Sequence, residues 1–197
     1  VVTYVSRIAP EKNVDYLARA LAVVVARRPD VRLLLVGDGP SRADLQERLG
    51  PSARFVGYRS GDDLADHYAV GDVFAFTSLT ETFGNVLTEA MASGLPVAGF
   101  DYAAARQFVR HGVNGLTAPC DNPDALIGAA VTLATDADLR RRLGAAARAS
   151  LLDQSSEQVI ARFEADLHPV IAEDRVPRQA PPSTAPAQIA RARPAAK

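Results

Sequence analysis

Two carboxylates, Glu81 and Glu89, stand in the run Glu81-Thr-Phe-Gly-Asn-Val-Leu-Thr-Glu89, which continues into Ala90-Met-Ala-Ser-Gly-Leu-Pro-Val97. A short apolar stretch, Val73 to Phe76, precedes the loop carrying Glu81, and that loop opens a helix with Glu89 in its second turn. The first amides of a helix have no intrahelical partner, and the macrodipole adds partial positive charge. Phe83 to Val86 can therefore hold a diphosphate without a lysine, and Gly84 is expected to let the backbone come close to it. Eight positions along a helix separate two carboxylates by about 12 Å. One can hold hydroxyls of a transferred sugar while the other holds those of a ribose. An arbitrary pair of glutamates is usually a pair of solvated helix acids. Here a strand before, a glycine between and a small-residue helix ending at Gly94, ahead of Pro96, favour a nucleotide-sugar site.

A second group of residues suits the same chemistry. Ser6-Arg-Ile-Ala-Pro-Glu-Lys-Asn13 follows the first apolar stretch and precedes the first helical one. Arg7 offers a planar fork for phosphate and Lys12 a mobile point charge near a helix start. Val36-Gly-Asp-Gly-Pro40 closes the second apolar stretch, but Arg42 stands where the dinucleotide fingerprint needs its third glycine. A tight strand-to-helix turn is the better reading of that segment.

These residues need elements to carry them. Apolar runs alternate with helical patterns, as in a doubly wound α/β sheet, mainly parallel, with helices on both faces. Strands are expected at Val1–Val5, Val31–Val36, Arg54–Val56, Val73–Phe76, Pro96–Phe100 and Gly115–Thr117. Helices are expected at Val14–Arg27, Ser41–Leu49, Leu64–Ala69, Val86–Ala92, Pro123–Ala134, Asp138–Ala149 and Glu157–Ala172. Ser41 and Asp44 form a pattern close to a capping box. Parallel crossovers collect the strand C-termini on one edge, where ligands bind in open α/β sheets, and the motifs fall on that edge.

Composition narrows the choice of function. The chain has 197 residues, 48% of them hydrophobic, enough for a sizeable core. A net charge of −1 argues against a nucleic-acid surface. The longest apolar interval, Leu17 to Ala26, is broken by Arg19 and followed by Arg27-Arg28, which excludes a membrane span there. Cys120 is the lone cysteine, so no internal disulfide can form, in keeping with a reducing cytoplasm. His67, His111 and His168 are scattered and imply no metal site. From about Arg175 the sequence turns to Pro, Ala and Arg. We therefore expect a domain over 1–173 and a disordered, basic tail over 174–197 that could touch anionic lipid.

Glu81 to Pro96 resembles the Glu-x7-Glu signature of retaining glycosyltransferases of the GT-B fold, in their donor-binding C-terminal domain. Ser78 to Val86 together with Gly99-Phe-Asp-Tyr-Ala-Ala-Ala105 is similar to bacterial GDP-mannose-dependent α-mannosyltransferases and to sulfoquinovosyl transferases. The Arg7–Lys12 segment resembles the family's Gly-Arg-Leu-x-x-x-Lys run, with Ser6 in place of the usual glycine. The resemblance implies one half of a GT-B fold, with an N-terminal acceptor-binding domain of similar size not contained in this sequence, which opens on Val1 rather than Met. It also implies hexosyl transfer to a lipid or saccharide acceptor, no metal or other cofactor, and an enzyme of the cytoplasm or the inner face of the membrane.

Arg7 and Lys12 would neutralise the diphosphate, and Glu81 would orient the sugar as the third catalytic residue. Thr82, Phe83, Gly84, Asn85, Val86 and Glu89 would bind the donor. Gly37, Asp38, Gly57 and Tyr58 would lie near the nucleotide, with Tyr58 flanking the base or, equally, sitting in the core. Alternatives that stay open are a UDP-sugar transferase of the sulfoquinovosyl or glucosyl type, a sugar-nucleotide epimerase, and a non-catalytic nucleotide-sugar-binding module.

Overall fold

The strands are four or five residues long, and the four central ones are buried on both faces, the pattern of a parallel sheet covered by helices. In the computed structural model, which describes residues 1–80 and 84–151, the strands are β1 (Val2–Val5), β2 (Leu33–Val36), β3 (Ala53–Gly57), β4 (Val73–Phe76), β5 (Val97–Phe100) and β6 (Gly115–Ala118). They form one six-stranded sheet in the order β3-β2-β1-β4-β5-β6, every pairing parallel. The helices are α1 (Val14–Arg27), α2 (Arg42–Leu49), α3 (Gly61–Ala69), α4 (Asn85–Ala92), α5 (Ala103–Phe108), α6 (Pro123–Thr135) and α7 (Ala137–Ala149). The doubly wound, Rossmann-like architecture expected from the sequence is the one observed. The expected helix at Glu157–Ala172, the tail and the 173/174 boundary lie outside the described residues.

Side chains alternate across each strand, so every strand feeds two cores. Val2 and Tyr4, Leu33 and Leu35, and Val73 and Ala75 pack with Leu17, Leu21 and Val24 of α1, Leu45 of α2 and Leu133 of α6. On the opposite face Val5, Leu34, Val36, Phe74, Phe76 and Val97 pack with Tyr68 of α3, Leu87 and Met91 of α4, and Phe108 of α5. Full burial of each such aliphatic or aromatic side chain contributes about 1.5–3 kcal/mol. These contacts, more than helix propensity, hold helices as short as α4 and α5 in place.

Three local expectations need correction. Helix α5 stands where no element was expected, because six residues are too few to show a helical period and packing of Ala104, Ala105 and Phe108 decides the matter. Strand β2 begins at Leu33 instead of Val31. Ser41 precedes α2 without any side-chain capping bond, and its backbone N–H donates to Ile8 O at 3.0 Å instead.

The strand order runs outward in both directions from the β1/β4 pair, so the crossovers diverge there and leave a crevice at the strand C-termini. The loops that follow β1, β2, β3 and β4 rim it.

Candidate functional site

The β1 loop carries the two cations. Arg7 is two-thirds exposed and its guanidinium meets the Glu11 carboxylate one turn on, a partner that the sequence did not single out. The hydroxyl of Tyr4 donates to Arg7 O at 3.3 Å, steadying the backbone beneath. Lys12 ends a 3-10 turn, Pro10–Lys12, and is half-buried. An exposed ion pair such as Arg7–Glu11 contributes little to stability, so Arg7 can exchange Glu11 for another anion at small cost.

Three hydrogen bonds tie this loop to the one that follows β4. The Thr77 hydroxyl donates to Lys12 O at 2.8 Å, the Asn13 amide donates to Thr77 O at 3.1 Å, and the Thr80 hydroxyl donates to Glu11 O at 3.3 Å. Asn13 adopts a left-handed backbone, φ 53°, which turns the chain into α1 while its side chain crosses to Thr77. The approach to Glu81 is thereby fixed against the cationic loop. Glu81, Thr82 and Phe83 themselves lie outside the described residues.

Gly84 precedes α4 at φ 77°, and a Cβ there would fall 2.4 Å from Cβ of Ala104. Its glycine is required by the left-handed turn and by close packing on α5. The N–H groups of Leu87 and Thr88 both donate to Gly84 O, at 2.8 and 3.2 Å. Asn85 and Val86 are the described first-turn residues whose amides have no intrahelical acceptor.

One turn further, Glu89 is exposed and its Oε2 accepts from the hydroxyl of Tyr68 at 3.0 Å. The same hydroxyl lies 3.2 Å from Val86 O. Tyr68 is only 2% exposed. Burial first, then the charge and hydrogen bond of Glu89, raises the phenol well above its ordinary value, so it remains a donor. Sequence reasoning missed Tyr68, whose aromatic ring in an amphipathic helix reads only as core.

The turn after β2 turns out to be a backbone joint. A Cβ on Gly37, at φ 127°, would lie 2.0 Å from Ser6 O. The Ser6 N–H donates to Val36 O at 3.1 Å, Ile8 N–H to Asp38 O at 2.9 Å, and Gly37 N–H to Gly57 O at 2.8 Å. The structural reading of this turn accounts for its glycine. Asp38 accepts from Gly39 N–H at 2.8 Å and from Arg42 Nη1 at 2.7 Å. The Gly39 amide and then the Arg42 guanidinium hold its carboxyl below the usual range. Beyond Gly57, Tyr58 is 77% exposed, which removes it from the core.

A cleft of about 750 Å³ draws these pieces together. Arg7, Lys12, Gly37 and Asp38 line it from the β1 and β2 loops, Tyr58 from the β3 loop, and Val86 and Glu89 from α4. Gly57, Gly84 and Asn85 are not among its lining residues. Arg59, Ser60, Gly61 and Leu64 are, and no motif had marked them. Among the described residues no group of three or more His, Cys, Asp and Glu side chains could hold a metal ion, and no helix is long and apolar enough to cross a membrane. His67 and His111 pair locally, with Asp63 O and with the Thr117 backbone. His168 lies outside the described residues, and Cys120 is half-buried.

The family model described as "Glycosyl transferases group 1" matches residues 1–136, and the chain belongs to this family. It is 41% identical over 172 residues to the GDP-mannose-dependent alpha-mannosyltransferase of Mycolicibacterium smegmatis, covering 85% of this chain and 44% of that protein. It is 36% identical over 151 residues to the sulfoquinovosyl transferase SQD2 of Arabidopsis thaliana, covering 75% of this chain and 29% of that one. Among solved structures, Anabaena HepE in complex with UDP and glucose superimposes with a TM-score of 0.71 at 27% identity, over 87% of this chain and 48% of that one. The chain thus spans less than half the length of each of these relatives. Its fold is that of one half of the GT-B glycosyltransferases among its structural neighbours.

Proposed function

We propose that this chain is the donor-binding half of a retaining glycosyltransferase that transfers a hexose, mannose from GDP-mannose, to a lipid or saccharide acceptor. The observation that carries the reading is the single cleft lined by Arg7, Lys12, Tyr58 and Glu89. That set combines cations for a diphosphate, a carboxylate for ribose hydroxyls and an aromatic face for a base. The relatives named as GDP-mannose-dependent mannosyltransferases support the choice of donor.

The chemistry follows from where charge develops. Cleaving the bond between the anomeric carbon and the diphosphate leaves negative charge on phosphate and positive charge on the sugar. Arg7, Lys12 and the α4 amides stabilise the first by groups already in position, without a metal. Glu81 orients the sugar hydroxyls, and Glu89, held by Tyr68, binds the ribose and supplies affinity. The acceptor attacks from the face that the leaving group vacates, which retains configuration.

Calorimetric titration with GDP, UDP and ADP in the presence of a chelator tests the reading. Selective GDP binding, lost in an Arg7→Ala, Lys12→Ala double variant, is the expected result. UDP selectivity, the donor class that the likeness to UDP-bound HepE favours, would keep the enzyme class and change the donor. Absence of nucleotide binding would overturn the donor site.

A further inference from the structure

Arg59 lines the cleft directly after the exposed Tyr58. Two contacts settle its guanidinium. Nη1 donates to Tyr58 O at 3.3 Å. Nε is buried, makes no hydrogen bond, and is paired by charge alone with the Asp63 carboxylate at 3.2 Å, in the first turn of α3. Nη2 has no hydrogen-bond partner among the described residues, and the side chain is 37% exposed where it lines the cleft. The group is thus pinned along its inner edge, and its outer N–H groups remain for a ligand.

The cleft fixes which part of a ligand those groups would meet. With diphosphate at Arg7 and Lys12 and ribose at Glu89, the wall left for the base is the one built by Tyr58, Arg59, Ser60, Gly61 and Leu64. A guanidinium only donates hydrogen bonds. Guanine offers it two adjacent acceptors, O6 and N7, which an arginine fork engages together. Adenine places a donor amine where O6 would be. Uracil presents a single carbonyl on the corresponding edge. We infer that Arg59 reads the base of the donor nucleotide and selects guanine through its O6/N7 edge, an assignment that rests on the donor-site reading above.

The experiment is a panel of dissociation constants for GDP, IDP, 7-deaza-GDP and UDP, measured on the full chain and on its Arg59→Ala and Arg59→Lys variants. IDP keeps O6 and N7 and lacks only the 2-amino group, so it should bind the unmodified chain as GDP does. The 7-deaza analogue lacks one acceptor and should bind about tenfold more weakly. Arg59→Ala should weaken GDP by about tenfold, leave UDP within twofold, and erase the difference between GDP and 7-deaza-GDP. Arg59→Lys, which keeps the charge without the fork, should restore only part of the preference. An unchanged GDP-to-UDP ratio in Arg59→Ala, or an equal loss for both nucleotides, would overturn the assignment. Should the unmodified chain bind nucleotides without preferring guanine, the base reading alone fails; should it bind none, the donor site fails with it.

Discussion

Asp38 and Glu89 are two carboxylates facing one cleft, and their surroundings give them different work. Asp38 is held on both oxygens, by Gly39 N–H and by Arg42, and these bonds close the turn that bears it. Glu89 is held on one oxygen by Tyr68, and Oε1 has no partner among the described residues. A carboxylate whose acceptor sites are filled from its own loop stabilises the loop. One anchored at a single oxygen by a buried donor is oriented and still has a free oxygen for a ligand. Proximity to the cleft is common to both, so hydrogen-bond occupancy is what sets the acid that closes its own turn apart from the one with an oxygen left over.

The largest expected effect tests the structural side of this contrast. Gly37→Ala should cost roughly 3 kcal/mol or more in urea unfolding, since its Cβ would collide with Ser6 O at an unfavourable φ. A loss below about 0.5 kcal/mol, the range of an ordinary surface change, would show that the β1 and β2 loops are not jointed as described. Next, Glu89→Ala should raise the donor dissociation constant about tenfold, as loss of a hydrogen bond to a charged group does. Asp38→Asn should leave that constant within about twofold, because its oxygens already have partners. Equal effects of the two substitutions on donor affinity would erase the distinction.

A smaller effect than that of Glu89→Ala is the most diagnostic. Tyr68→Phe should weaken donor binding by about three- to tenfold by releasing the Glu89 rotamer. In a Glu89→Ala background the same change should have little further effect on affinity. Additive losses in that double-mutant cycle would mean that Tyr68 supports the helix packing and not the carboxylate.

Much of this was legible in the sequence, and the residues show where legibility stopped. The central strands declared themselves as short Val/Leu/Phe runs because both faces are buried, and the long amphipathic helices declared themselves by period. Helix α5 did not, since Ala103–Phe108 depends on tertiary packing. Arg7, Lys12 and Glu89 were placed in one cleft from their positions after parallel strands, a consequence of topology. Tyr68 and Arg59 were not found, because their importance lies in contacts with Glu89, Tyr58 and the cleft that no local spacing encodes. At Gly84 the structure adds a constraint that local sequence does not encode, the tight contact with Ala104, twenty residues away in sequence.

The three bonds that join the β1 and β4 loops all end on main-chain carbonyls, those of Glu11, Lys12 and Thr77. Every residue type supplies such a carbonyl. The identities of Glu11 and Lys12 can therefore change without loosening the junction, whereas inserting or deleting one residue between Arg7 and Asn13 would put each carbonyl out of reach. In a screen for folded protein, positions 11 and 12 should tolerate substitution far better than a change of length, whereas a screen for nucleotide binding should also be strict at Lys12.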